Sequence, residues 1–397
     1  MRILYLHQYF CPPGGSGNNR SFELARQWVK EGHEVTILTS PAYFPRSYRQ
    51  TELLKEVKVA GIQVVVINVD YAHEMPFAKR VQAWLRFFRK ARPRVMKYAD
   101  VDLVYASSTP LTIGELGRII HRRKKVPFVF ETVDVWPDVP IGMGILKNRL
   151  LIKYIQRRTN RIYRQAAAVV ALSEGMRDQV LSHGVDPAKV HVIHNGTDPN
   201  AFTYVEREGR KQVTLIYTGT VGIANGLDQL VDLAAELERR GREDIRIEVV
   251  GQGNDLDRVL AYKMEKGLEN IRFRSRVPKE EVPSLLSNAD IGCVCFANHA
   301  VLEANSANKF YDYLASGLPV ALNYRGWQAE YLEKYGGGLA AEQGNISQWA
   351  DNVIRLADNP EFRIQEGKKG REMVTRFFDR NQLAQRLLDL FAEITSR

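Results

Sequence analysis

One pattern occurs twice along this chain, and it limits the folds open to it. Arg2 to His7 reads as a strand, followed by a loop, Pro12-Pro13-Gly14-Gly15-Ser16-Gly17-Asn18-Asn19. A helix with Phe22, Ala25 and Val29 in register closes at Gly32 and leads into the strand Val35 to Thr39. In the second half, Val213 to Tyr217 is a strand and Gly219 to Gly226 a Gly-rich turn. A helix with Leu227, Leu230, Val231 and Leu237 then ends at Gly241, before the strand Ile245 to Val250. Strand, turn, helix and strand in that order begin a parallel sheet, because parallel neighbours need a crossover. Further β runs alternate with helical stretches, among them Leu103 to Ala106, Phe128 to Glu131, Ile291 to Cys295 and Val320 to Leu322. The class is therefore α/β, and two restarts in 397 residues predict two Rossmann-like domains. The turn-rich stretch His194 to Pro199 places the boundary: residues 1–195, joined by a returning segment 376–397, and residues 196–375. Parallel sheets facing across an interdomain cleft are the expected architecture, with the ligand at their carboxyl edges.

No apolar run approaches the roughly 20 residues that span a bilayer, and Met1 to Leu6 reads as a strand rather than a signal peptide. Three cysteines build no disulfide framework, and Cys293 and Cys295 lack a second ligand pair for zinc. A reduced, cytoplasmic chain without a structural metal is the expectation. The net charge of +10 is unevenly placed: residues 1–195 hold 30 Lys and Arg against 16 Asp and Glu, and the remainder is acidic.

The stretch Ser306 to Pro319 carries the sharpest chemical signal. Phe310, Tyr313 and Leu314 form a buried helical stripe, while Lys309 and Asp312 share the neighbouring face. A surface ion pair worth under about 1 kcal/mol is one reading. A ligand that separates the two charges is the other. The Gly-rich turns offer converging backbone N–H groups to phosphate. Neither turn has the G-x-G-x-x-G spacing of a dinucleotide site or the Gly-Lys-Ser/Thr of a P-loop.

A series of motifs runs along the first half as Tyr9 to Gly17, Arg20 to Ala25, Pro127 to Asp138, Ser173 to Met176 and Ile193 to Asp198. It continues through Tyr217-Thr218-Gly219, Gly226-Leu227-Asp228, Val250 to Gly253, Phe273 to Pro278 and the Ser306 stretch. In this order the series resembles a retaining, family 4 glycosyltransferase of the GT-B fold, in the branch that assembles bacterial surface polysaccharides and includes L-fucosamine transferase-like enzymes. The resemblance covers nearly the whole chain. It implies a nucleotide-diphosphate sugar as substrate, UDP-linked, with no cofactor and no metal. Lys309 would meet the diphosphate and Asp312 the ribose hydroxyls. Arg276 and Val277 would lie against the base, Gly219 and Thr220 near the diphosphate, and Asn308 beside them. Gly15, Ser16 and Gly17 would let the donor phosphate approach closely. The chain departs from the pattern twice: Asn225 stands where many members carry Lys, and Ala304 where the E-x7-E pair has its first acid, with Glu303 one step away. Glu303 is the candidate for a sugar hydroxyl. Retaining members are thought to let the leaving phosphate take the acceptor proton. Lys309 and Asp134 are the catalytic candidates, the latter near the reacting carbon or acceptor unless it merely caps a helix.

Lys79 to Lys97 holds eight Lys and Arg and no acid, with Val81, Trp84, Leu85 and Phe88 at helical spacing. Arg118 to Lys125 and Lys147 to Arg164 add two more basic runs. Trp84, Arg86, Phe88, Arg89 and Lys90 are the predicted acceptor and membrane surface, suited to anionic lipid headgroups. Solvated outer faces of core helices are the competing reading. The expected function is transfer of a sugar to a polyprenyl-diphosphate-linked saccharide, for O-antigen, capsule or exopolysaccharide, at the inner face of the plasma membrane. A soluble small-molecule acceptor and a sugar-nucleotide epimerase are the alternatives. No nucleic-acid module is present to make the basic surface a nucleic-acid site.

Overall fold

A computed structural model describes residues 1–15, 17–45, 56–72, 75–204 and 212–396. The chain divides into two compact units, residues 1–194 with 381–397, and residues 195–380.

In the first unit β1 (Arg2–Leu6), β2 (Glu34–Thr39), β3 (Glu56–Val59) and β4 (Ile62–Val66) are joined by β5 (Leu103–Ser107), β6 (Phe128–Thr132), β7 (Ala168–Ala171) and β8 (Val190–Val192). Their order is β3-β4-β2-β1-β5-β6-β7-β8, and all neighbours are parallel except β3 and β4. The β-branched and aromatic residues of β5 and β6 are buried throughout, as strands covered on both faces require. In the second unit β9 (Val213–Thr218), β10 (Ile245–Val250), β11 (Ile271–Arg274), β12 (Ile291–Val294), β13 (Val320–Leu322) and β14 (Gly338–Ala340) form a wholly parallel sheet. Its order is β11-β10-β9-β12-β13-β14. The order reverses beside β1 in one sheet and beside β9 in the other, so each switch point lies where a Gly-rich turn leaves a strand.

The C-terminal helix Arg380–Ser396 supplies Leu383, Leu387, Leu388 and Phe391 to the first core. Phe391 packs edge-on against Trp28 at 5.2 Å, and the Trp28 indole donates to the Ala384 carbonyl at 3.2 Å. The return begins at Asn381 rather than Arg376. The preceding turn stays with the second unit because Phe378 packs on Tyr311 at 5.0 Å and on Tyr331 at 5.3 Å.

The Phe77–Val95 helix corrects the predicted apolar stripe. Its inward residues are Ala83, Trp84, Phe87, Ala91 and Val95, and it continues through Pro93. Trp84 is thus core-facing rather than part of a surface, Phe88 is half-buried, and Leu85 is exposed. Two alanines, which carry no apolar signal strong enough to read, set the true stripe.

A buried ion pair ties the first helix to the sheet. Arg20, at the start of the Arg20–Lys30 helix, donates through Nε at 3.2 Å and Nη2 at 2.7 Å to Glu131 Oε1, at the end of β6. Tyr105 and Ser107 also donate to this carboxylate, each at 2.6 Å, and Arg20 Nη1 reaches the His194 carbonyl at 2.9 Å. Burial alone would push the Glu131 carboxyl up; Arg20 and the two hydroxyls outweigh it and hold it below the ordinary value. Glu131→Gln leaves a buried guanidinium uncompensated and is expected to cost about 3–5 kcal/mol in urea unfolding; a loss within measurement error would show that the pair does not brace this unit.

Candidate functional site

At the carboxyl end of β9 the second unit gathers several of the predicted residues. Gly219 leaves the strand with φ of 136°, a conformation suited to glycine, and Thr220 follows; both are exposed. The Asn308–Ala315 helix abuts this strand end. The Tyr313 hydroxyl accepts from Thr218 N at 2.7 Å, and its ring lies so close to Gly292 of β12 that a Cβ there would come within 2.5 Å of it. That docking sets Lys309 one turn earlier. Its Nζ sits 3.9 Å from the centroid of the Tyr217 ring, and a Cβ on Gly219 would lie 3.4 Å from it. Burial lowers the Lys309 pKa to about 8, against smaller opposing effects of Cys295 and Cys293.

Lys309 and Asp312 do not pair with each other, and Lys309 meets no carboxylate among the described residues. Asp312, half-buried, instead accepts from the Thr197 hydroxyl at 2.7 Å. Thr197 stands where the chain enters the second unit: its N–H donates to Phe378 O, and Arg380 N donates to its carbonyl, both at 3.0 Å. Asn308 opens the Lys309 helix and is half-exposed. Glu303, in the short turn Ala300–Ala304, has a free carboxylate among the described residues, and its backbone presses on Gly326. Arg276 and Val277 follow β11, the arginine exposed and the valine half-buried. Asn225 ends the Gly219 turn, and Gly226 after it has φ of 59°.

In sequence Tyr217, Thr197 and Tyr313 read as strand, motif and buried-stripe residues, not as residues of the site. Their roles depend on contacts across strands and on the chain entry, which local spacing does not encode. Tyr217 belongs to a strand legible from sequence, but a cation at the second residue of a helix gives no hint of which ring it will cover.

In the first unit the carboxyl edge carries an aromatic cluster. Tyr9 packs against Tyr71 at 4.6 Å and Tyr43 at 5.9 Å, and its hydroxyl accepts from the Trp84 indole. Trp84 meets Trp136 edge-on at 5.9 Å, and Arg80 covers its face at 5.6 Å. Asp134, two residues before Trp136, accepts from the Thr109 hydroxyl at 3.0 Å. It caps no helix: the Asp138–Gly142 helix begins at Pro137 without a side-chain cap. Burial raises the Asp134 carboxyl above its ordinary value, opposed by Thr109 and Arg80. The cluster therefore joins Asp134 and Trp84, which sequence had placed in different roles.

Gly15 and Gly17 have a structural demand of their own. A Cβ on Gly15 would lie 2.5 Å from the Tyr43 carbonyl, and one on Gly17 would lie 2.7 Å from the Tyr43 ring. Gly17 N also donates to Cys11 Sγ at 3.1 Å. Ser16 lies outside the described residues. Arg86, Arg89 and Lys90 are exposed, with Lys90 Nζ donating to the Asn68 carbonyl at 2.9 Å.

Two family models match the chain in tandem, the glycosyl transferase 4-like domain over residues 15–196 and glycosyl transferases group 1 over residues 203–373. A putative colanic acid biosynthesis glycosyl transferase, WcaI of Escherichia coli K12, is 22% identical over 344 residues, covering 80% of this chain and 82% of its own. Among solved structures, sucrose-phosphate synthase from Thermosynechococcus elongatus superposes with a TM-score of 0.77 at 15% identity, covering 100% of this chain and 99% of its own. Anabaena HepE, solved with UDP-glucose, gives a TM-score of 0.71 at 15% identity, over 99% of this chain and 100% of its own. The paired domains, the two parallel sheets and these likenesses agree: the chain belongs to the glycosyltransferases of the GT-B fold, family 4 type.

Proposed function

We propose that this glycosyltransferase moves a sugar from a nucleotide-diphosphate sugar, with UDP as the carrier, to a polyprenyl-diphosphate-linked saccharide in surface-polysaccharide assembly. One observation carries the donor half: a lysine without a carboxylate partner, seated on the Tyr217 ring beside the bare backbone of Gly219 at the switch point of the second sheet. An ammonium with lowered pKa, beside a glycine that carries no side chain, is suited to a diphosphate. Asp312 has acceptor capacity beyond its bond to Thr197 and can take vicinal ribose hydroxyls. Arg276 and Val277 lie against the base, Thr220 and Asn308 close on the phosphates, and Glu303 meets a sugar hydroxyl. HepE, likened above, is described with UDP-glucose, which supports the uridine carrier. WcaI is named for colanic acid biosynthesis, which supports a surface-polysaccharide role.

Transfer proceeds with retention and without a metal ion. Lys309 supplies the positive charge against which the diphosphate departs, and the departing phosphate oxygen receives the acceptor's proton on the same face. In the first unit Asp134 orients the incoming hydroxyl, and Gly15 and Gly17 let the donor phosphate approach closely. Among the described residues no helix is long and apolar enough to cross a membrane. Peripheral attachment at the inner face of the plasma membrane brings the enzyme to its lipid-linked acceptor.

Calorimetric titration with UDP-sugars tests the donor site. Lys309→Ala and Asp312→Ala are each expected to weaken binding about ten- to a hundredfold with melting preserved; wild-type affinity in both rejects the assignment. Transfer is expected to persist at full rate in a chelator, and its abolition there would establish a metal requirement. Below pH about 8 Lys309 is charged in the free protein, so affinity is flat. Above it the free side chain is neutral and must take up a proton on binding, so affinity falls as pH rises, and the binding enthalpy comes to depend on the buffer's ionisation heat. Pure pH-independence between 7 and 10, roughly spanning the shifted and ordinary lysine values, would exclude Lys309 from the diphosphate.

A further inference from the structure

The Arg149–Gln165 helix is seated on the first unit only by its later turns. Its buried residues are Thr159, Ile162 and Tyr163. Ile162 lies where a Cβ on Gly114 would come within 2.8 Å, and Tyr163 packs on Phe130 at 5.9 Å. Its first turns project instead. Leu150 is 82% exposed, Leu151 45% and Tyr154 54%, and Ile145 in the preceding turn is 55% exposed. Isolated exposed apolar residues are ordinary; four at one corner are not. The corner is also ordered from within: Asn148 caps the helix by accepting from Leu150 N and Leu151 N at 3.0 Å, and Ile145 N and Leu146 N both donate to the Pro140 carbonyl at 2.9 Å.

Its electrostatics are one-sided. No Asp or Glu occurs between Asp138 and Glu174, whereas Lys147 to Arg164 holds seven cations. Lys147, Arg149, Lys153 and Arg157 are exposed and form no ion pair among the described residues. The acid facing this helix from its neighbour, Glu115, is already held by Arg118 at 2.7 Å and Arg158 at 3.3 Å. Arg158 in turn stacks on Tyr154 and donates to its hydroxyl at 3.0 Å. This helix and the neighbouring Thr112–Lys124 helix both end at the start of β6, where His121 packs on Phe128 at 5.9 Å and Ala167 N donates to the Phe128 carbonyl at 2.9 Å. They therefore run parallel, and the basic end Arg122 to Lys125 lies away from the projecting turns.

We infer that this corner, Ile145 with Leu150, Leu151 and Tyr154, inserts into an anionic phospholipid bilayer while Lys147, Arg149, Lys153 and Arg157 bind the headgroups. The proposal rests on the reading of a lipid-borne acceptor and names the surface that meets the lipid, in place of the Phe77–Val95 helix whose Trp84 faces inward. Charge complementarity selects the bilayer, and apolar side chains ringed by lysine and arginine are the pattern of interfacial anchoring. A nucleic acid would use the cations and leave the leucines in water.

The test is flotation of the full-length chain with phosphatidylcholine vesicles, with and without phosphatidylglycerol. Wild type is expected to float with the anionic vesicles. Leu150→Ser combined with Leu151→Ser should lower partitioning at least about tenfold, and Lys147→Glu with Arg149→Glu and Lys153→Glu should abolish the preference for phosphatidylglycerol. Both variants, altered only at exposed positions, are expected to keep wild-type melting and UDP-sugar affinity. Flotation of the serine variant at the wild-type level overturns the corner, as does failure of wild type to float, self-association through the leucines, or retention by RNA that both variants share. Lost flotation with intact UDP-sugar binding supports the anchor.

Discussion

The second unit depends on how one short helix is fastened to one strand end. Tyr313 locks Asn308–Ala315 to Thr218 and fills the space that Gly292 leaves open. With the helix there, Lys309 lies over Tyr217 and beside Gly219, and Asp312 reaches Thr197. The cation is partly stripped of water without being neutralised by a carboxylate, and the lowered pKa records that. A group held this way is less stable alone than with an anion beside it. The same packing that stabilises the fold therefore leaves an electrostatic demand that an anion would satisfy.

The first unit solves a similar packing problem with the opposite outcome. Arg20 and Glu131 are also buried beside a Gly-rich turn, but each finds the other, and Tyr105, Ser107 and the His194 carbonyl complete the set. A satisfied network of this kind braces the sheet edge and leaves nothing for a ligand. Outside that network Asp134 accepts from the Thr109 hydroxyl and stands two residues before Trp136, whose ring meets Trp84 edge-on. Paired charge thus marks the frame, and unpaired charge marks the places where chemistry is proposed.

The positive surplus of the first half divides in the same way. Some cations are structural, such as Arg20 and Arg158, and some cover apolar rings, such as Arg80 over Trp84. The remainder project, and around Leu150 they project together with apolar side chains that the core does not claim. Charge alone does not separate these groups; which helix face is buried does.

Much of the fold was legible locally. The strand–turn–helix–strand restarts, the α/β alternation and the turn at His194 follow from hydrophobic period and glycine placement, and both sheets have the parallel neighbours that those crossovers demand. Two strands escaped. β14 is hidden by the Gly336 to Gly338 run, and β3 is a short antiparallel edge strand. The motif order also assigns Lys309 and Gly219 to one expected site, and a Cβ on Gly219 would lie 3.4 Å from Lys309 Nζ. What the sequence by itself determined was where chains of backbone bend, which stretches are buried and which residue types are available for phosphate. Tertiary structure alone decided which charges remain unpaired. That depends on which strand end each helix meets, so Trp84 turned inward, Leu150 outward, and Asp312 found Thr197 more than a hundred residues away.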